Sequence, residues 1–362
     1  AALAEAQKLR NSVSDREQSQ IDFFALFLSG QSRPALEFAR SHLAEWPRDA
    51  VVMNYYGPIL GLIAASGHEG SKVEQAEVMD AFTTHYIDDW WFDAHRAMAI
   101  CEVGRWSEAR ALIEKSLAAN TNNAWAAHSR AHIAYEEGEA DGARAFLSDW
   151  IAHYPREGGL YGHLSWHGAI AELAAGNEAR AWSLFDSAVS PEMSQGNPRI
   201  RVVDAVQFLW RWELAGNPHD AERWQRVSKF VHTMLPKAST PFGDLHVALA
   251  DAAAGDAAAL GTRLAEMQAL AKSGNYPPGD VLFTVIEALK DYAGGEYSRT
   301  VDRLSNLVDR GEQLGGGSRA QHDLVEFTAI RACVESGRQD ELGHLLSARR
   351  SGPVQPSISG LH

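Results

Sequence analysis

Apolar residues recur three and four positions apart along this chain, in runs of about a dozen residues broken by glycine or proline, which is the period of helices that bury one face. The first such unit is a helix ending near Gly30, a second opened by Pro34 and carried by Ala35, Phe38, Ala39 and Leu43, and a stop at Pro47. From Val51 a long apolar helix is expected through Tyr55, Ile59, Leu62 and Ile63, broken at Gly67 to Gly70 and followed by an acidic amphipathic helix. Strict two-residue alternation is missing, so the pattern predicts an all-α fold of helical hairpins. After Arg350 the tail Ser351 to His362 carries two prolines and two glycines and reads as frayed or draped over the surface.

The hairpins repeat. Gly104 and Gly138 are 34 residues apart, as are Ala97 and Ala131, Ala109 and Ala143, and Thr121 and Pro155. This period resembles that of tetratricopeptide repeats, paired helices that cannot bury their apolar faces alone and so stack into an α-α superhelix. Gly176, Gly216, Gly255, Gly294 and Gly337 continue the punctuation at longer intervals. The added length would let the array curl into a closed or semi-closed ring. Residues 1–350 read as one solenoid and 351–362 as its tail.

In tetratricopeptide modules the residues thirteen, ten, six and three before the turn glycine line the concave surface. Counted back from Gly138 these are Trp125, His128, His132 and Tyr135. His163 and His167 follow one repeat later, and each histidine pair is spaced i,i+4, one turn apart on one helix face. Neutral imidazoles so placed can hold a divalent transition metal or move protons in acid/base catalysis. Neither pair encloses the acidic residue of a metalloprotease helix.

These histidines, Trp166, the segment Phe208 to Glu213, Arg223 with Trp224, the segment Phe242 to His246 and the segment Gly316 to Glu326 occur in an order that resembles the family of tetratricopeptide repeat protein 38, over about residues 20 to 348. The resemblance implies a curled all-helical superhelix without implying an activity. The chain departs from the pattern at Arg319 to His322, so no role passes to His322.

Polar residues on later first helices are candidates to complete a pocket: Asp204 and Arg211 two turns apart, Asp244 and His246, and Gln321, Asp323 and Glu326. Arg211 would suit an anionic group bound bidentately. Trp125, Tyr135, Trp166 and Trp210 offer apolar walls, with Trp166 the one expected to pack between helices. The stretch Asp88 to Asp93, dense in aromatics and carboxylates, reads as either a groove edge or a packed helix start, the latter favoured.

Composition narrows the partners. A formal charge of −14 opposes nucleic-acid binding, which needs a basic face. Runs of 18 apolar residues are missing, which opposes a membrane span, and Ala1 to Gln7 show no basic segment ahead of an apolar core, so a cytoplasmic protein is expected. Cys101 and Cys333 are too few and too far apart for a disulfide framework, and Cys101 reads as a small apolar filler. No phosphate loop or nucleophile elbow is present. The expectation is a small-molecule pocket with hydrolase- or lyase-type histidine chemistry on a small polar organic substrate. The alternative is a scaffold whose groove holds a partner peptide or a second copy of the chain.

Overall fold

The computed structural model describes residues 2–349 except Asn275, Pro277 and Pro278; the tail expectation therefore lies outside the described residues. Among these are twenty α-helices and no strand. Most pack against their sequence neighbours as hairpins, the arrangement of a helical-repeat protein. No helix among them is long and apolar enough to cross a membrane.

The turn glycines explain the punctuation. Gly104, Gly138, Gly176, Gly216, Gly255 and Gly337 all adopt positive φ, between 68° and 90°, the left-handed conformation that ends a helix at little cost only for glycine. Between Gly255 and Gly337 that position is taken by Gly295 (φ 78°), correcting the expectation of Gly294, whose φ is −83°. Ala35, Ala39 and Ala109 are fully buried where paired helices approach closely.

A second correction concerns the long helix expected from Val51. It stops at Tyr56, and a four-residue helix, Leu62–Ala65, follows. Pro58 supplies no N–H and clashes with a preceding helical turn. The Gln75 amide accepts the consequence, donating to the carbonyls of both Gly57 and Pro58 at 3.0 Å.

Asp88 to Asp93 is indeed a helix start: Asp89 caps the helix Trp90–Cys101 and Tyr86 stacks on Phe92 with centroids 4.4 Å apart. Cys101 and Cys333 are both buried free thiols.

Residues far apart in sequence meet in the middle of the array. The helix Arg319–Ser336 packs on Pro198–Leu214 and touches Ala124–Glu137. Arg199 donates to the carbonyl of Leu60, and the Ser71 hydroxyl reaches Glu312 at 3.4 Å, so the N-terminal third also meets later segments. Tyr161–Ala174 also packs on Pro198–Leu214, so four helices surround one set of buried polar side chains.

Candidate metal centre

Three of the helices around the centre have a side-chain cap that sets where they start; the fourth, Tyr161–Ala174, which carries His163 and His167, starts after Leu160 without one. Asn123 caps Ala124–Glu137 by accepting from the N–H groups of Trp125 and Ala126, and Gly138 ends it. Asn197 caps Pro198–Leu214, with Pro198 at a position where a missing N–H costs nothing. Ser318 and Gln321 form a reciprocal capping box on Arg319–Ser336. Fixed helix starts fix which residues point inward.

His128, His132, His163 and His167 converge. One ring nitrogen of each lies within 4.8 Å of those of the others, and all four side chains are buried. His128 Nε2 is 3.0 Å from both His132 Nε2 and His163 Nε2. Each ring nitrogen has a single in-plane direction, occupied by either a lone pair or a proton. His128 can therefore satisfy one of these neighbours, not both. His167 Nε2 and His128 Nδ1 have no hydrogen-bond partner at all. Leaving such nitrogens buried and unmet costs roughly 1–3 kcal/mol each.

His163 is oriented from behind. Its Nδ1–H donates to the Asp204 carboxylate at 2.8 Å, which leaves the Nε2 lone pair directed at His128. A carboxylate on the far nitrogen is the usual way a metal-binding imidazole is fixed in orientation and tautomer. Burial pushes the Asp204 carboxyl upward and His163 opposes the shift. Burial, reinforced by the neighbouring imidazoles, holds His128 and His167 well below the ordinary histidine range. Both are neutral, the form that donates to a cation. A fifth imidazole, His95, packs edge-on to Trp91 and close to Trp125, and burial lowers it to about 3.

Metal bonds of about 2.1 Å place neighbouring ligand atoms about 3.0–3.4 Å apart, and the two 3.0 Å contacts at His128 fall in that range. A donor set of four imidazole nitrogens suits zinc, cobalt, nickel or iron.

The remaining sequence candidates divide. Trp125 stands edge-on to His128 with centroids 5.5 Å apart. Tyr135 reaches across the array and donates to Asp323 Oδ2 at 2.5 Å. Arg211 lies near enough to His167 to help lower its basicity; its Nη2 donates to the carbonyl of Ala320 and its Nε has no partner. Glu326 pairs with Arg349 at 3.2 Å.

Four candidates go elsewhere. Trp210 packs edge-on to Trp224 and Tyr292 and donates to Thr328 at 2.9 Å, so it is core and not a wall of the centre. Asp244 accepts from Tyr276 and Ser239 and pairs with Arg263, and burial raises it to about 6. His246 donates through Nδ1 to the Phe242 carbonyl and accepts from Gln207 at Nε2, leaving neither nitrogen for the centre. The Gln321 side chain is spent on the capping box. Trp166 is fully buried between helices, with His163 stacked on it at 5.4 Å.

Sequence reasoning missed Glu102 and Lys72. These form a buried ion pair, and Glu102 Oε2 also accepts from the N–H of Arg319 at 2.8 Å. Burial raises the Glu102 carboxyl, but Lys72 and His132 with these hydrogen bonds bring it down to about 2. A signal existed: Glu102 and Glu136 each stand two residues before a turn glycine, 34 residues apart, and both are buried.

No protein-family model matches the chain. The centre is therefore read from its own chemistry.

Proposed function

We propose that this helical-repeat protein holds a divalent transition metal between His128, His132, His163 and His167 and uses it in hydrolase- or lyase-type chemistry on a small polar organic molecule. One observation carries the reading: four buried imidazoles on two neighbouring helices bring their ring nitrogens within 4.8 Å of one another, with Asp204 bracing one of them. Protons alone do not reconcile the two 3.0 Å contacts at His128, whereas a cation receives all the lone pairs at once. A six-coordinate metal held by the four imidazoles would keep positions for water or substrate. A metal so placed would polarise a carbonyl or acidify a bound water. Arg211, whose Nε is unmet, supports binding of an anionic group of the substrate or product beside His167. The order of motifs along the chain supports placing the protein with the tetratricopeptide repeat protein 38 family, as a curled solenoid.

The test is metal analysis of protein purified without chelator, followed by titration of the stripped protein with zinc and cobalt. About one equivalent is expected, with a visible cobalt spectrum of imidazole coordination. Asp204→Asn should weaken binding about 10- to 100-fold while leaving the stoichiometry unchanged. Less than a tenth of an equivalent, with no uptake on titration, would remove the metal and the chemistry assigned to it.

A further inference from the structure

Beside the imidazole centre lies a cavity of about 200 Å³ lined by Lys72, Glu102, Glu312, Arg319, Asp323 and Glu326, among others. Two of its lining residues interact with the helix that carries His128 and His132. Glu102 is close enough to His132 for the two to interact electrostatically, and Asp323 is bonded to Tyr135, which lies one turn beyond His132 on the same helix. The volume is below that of a drug-sized pocket and suits a small metabolite.

The polarity of the walls is uneven. Glu102, Asp309, Glu312, Asp323 and Glu326 supply five carboxylates against the two cations Lys72 and Arg319. Carboxylates alone would decide nothing, but Glu102 adds a distinct observation. Its Oε2 is fully engaged by Lys72 and by the Arg319 N–H. Its Oε1 is buried with no hydrogen-bond partner, in a residue that is 4 % exposed and is one of those lining the cavity. An ionised oxygen stripped of water and unpaired is costly, and the group that meets it must donate a hydrogen bond and preferably carry positive charge.

We propose that this cavity is a substrate subsite that receives the ammonium end of a small polar organic molecule, with Glu102 Oε1 as its acceptor and the rest of the molecule turned toward His132. The assignment deepens the metal-centre reading, on which the reactive orientation rests, but ammonium binding itself does not need the metal. Lys72 then has a second purpose: it holds Glu102 in place through one oxygen and leaves the other for the ligand.

The probe is 4-aminobutanamide, a monocation with a neutral amide tail, compared with neutral 4-hydroxybutanamide by calorimetry and thermal shift on the full chain, both metal-loaded and metal-free. The amine should bind and raise the melting temperature in both forms, and the hydroxy analogue should bind about tenfold more weakly or not at all. Glu102→Gln should erase the difference between the two. Because that change disturbs a buried ion pair, the paired substitution Asp309→Asn with Glu312→Gln at the rim is a second test, expected to weaken the amine severalfold with the fold intact by circular dichroism. Equal binding of both probes, binding of neither, or an amine preference that survives Glu102→Gln would overturn the subsite. A failed metal titration with Glu102-dependent amine binding would sink only the metal centre.

Discussion

Two sets of buried histidines in this molecule look alike by burial and differ in how their nitrogens are used. In the N-terminal hairpin His42 accepts from Ser19 at Nδ1, 2.8 Å, and donates to Asp49 at Nε2, 3.0 Å. Its ring is closed on both sides and joins three segments, since Asp49 also caps the helix Ala50–Tyr56. His246 is closed in the same manner by Phe242 and Gln207. At the centre, His128 and His163 turn lone-pair positions toward each other, and His167 Nε2 meets nothing. Burial therefore does not separate the two sets; completion of the ring's hydrogen bonds does.

The sharpest way to break the comparison is to remove one histidine from each set. His128→Ala should weaken zinc by about 10²- to 10³-fold, a single imidazole's share of a typical structural-zinc binding energy, with little loss of metal-free stability because its ring is poorly satisfied. His42→Ala should leave zinc affinity unchanged and cost roughly 1–3 kcal/mol in denaturant unfolding, because Asp49 and Ser19 lose their partner. Equal zinc affinity in wild type and His128→Ala would erase the distinction.

The same contrast shows what the sequence could and could not disclose. The i,i+4 spacing of His128 with His132 and of His163 with His167 was legible because helix geometry alone puts each pair on one face. The counting rule from the turn glycine picked out His128 and His132, two of the four imidazoles that meet, in the strict 34-residue repeat. It failed where repeats lengthen. Trp210 and His132 both stand six residues before their glycines, yet Trp210 is core, while Asp204, Gln207 and Arg211 carry the inward polar groups. A one-residue change of register turns a side chain by about 100° around the helix, enough to exchange core for centre. His167 shows the same slip, nine residues before Gly176, with Trp166 buried beside it. The partnerships of Glu102 with Lys72 and Arg319 were not legible, because nothing local to Glu102 announces a contact 217 residues away.

Acid should act on the two sets through linkage. Burial lowers His95 to about 3 and His246 to about 4, and depresses His128 and His167 well below the ordinary value near 6.5. Above that value folded and unfolded chains are both neutral at these positions and nothing is lost. Below it the unfolded chain takes up protons that the folded chain refuses, so stability falls as pH drops from about 6.5 toward the folded values. At pH 5 the loss is about 2 kcal/mol for each of His95 and His246. His95→Phe should recover about that amount at pH 5 relative to pH 7 in metal-free protein, measured by urea unfolding at the two values. An unchanged pH dependence would mean that His95 is not held neutral by its surroundings.

The smallest effect expected is at the contact that joins the early and late halves of the array around the centre. Tyr135 lies on the histidine helix Ala124–Glu137 and its hydroxyl donates to Asp323 at the start of Arg319–Ser336, 188 residues on. The bond adds one charge-assisted link between helices that also meet through other contacts. Tyr135→Phe keeps the ring and its packing and deletes only the hydroxyl, so it should cost about 1 kcal/mol of stability and leave zinc affinity within about twofold, because no imidazole loses a partner. If the bond also sets the position of His132, one turn earlier on the same helix, zinc affinity would fall with stability. Measuring both quantities on this one variant thus separates a clasp that merely holds the array together from one that tunes the centre.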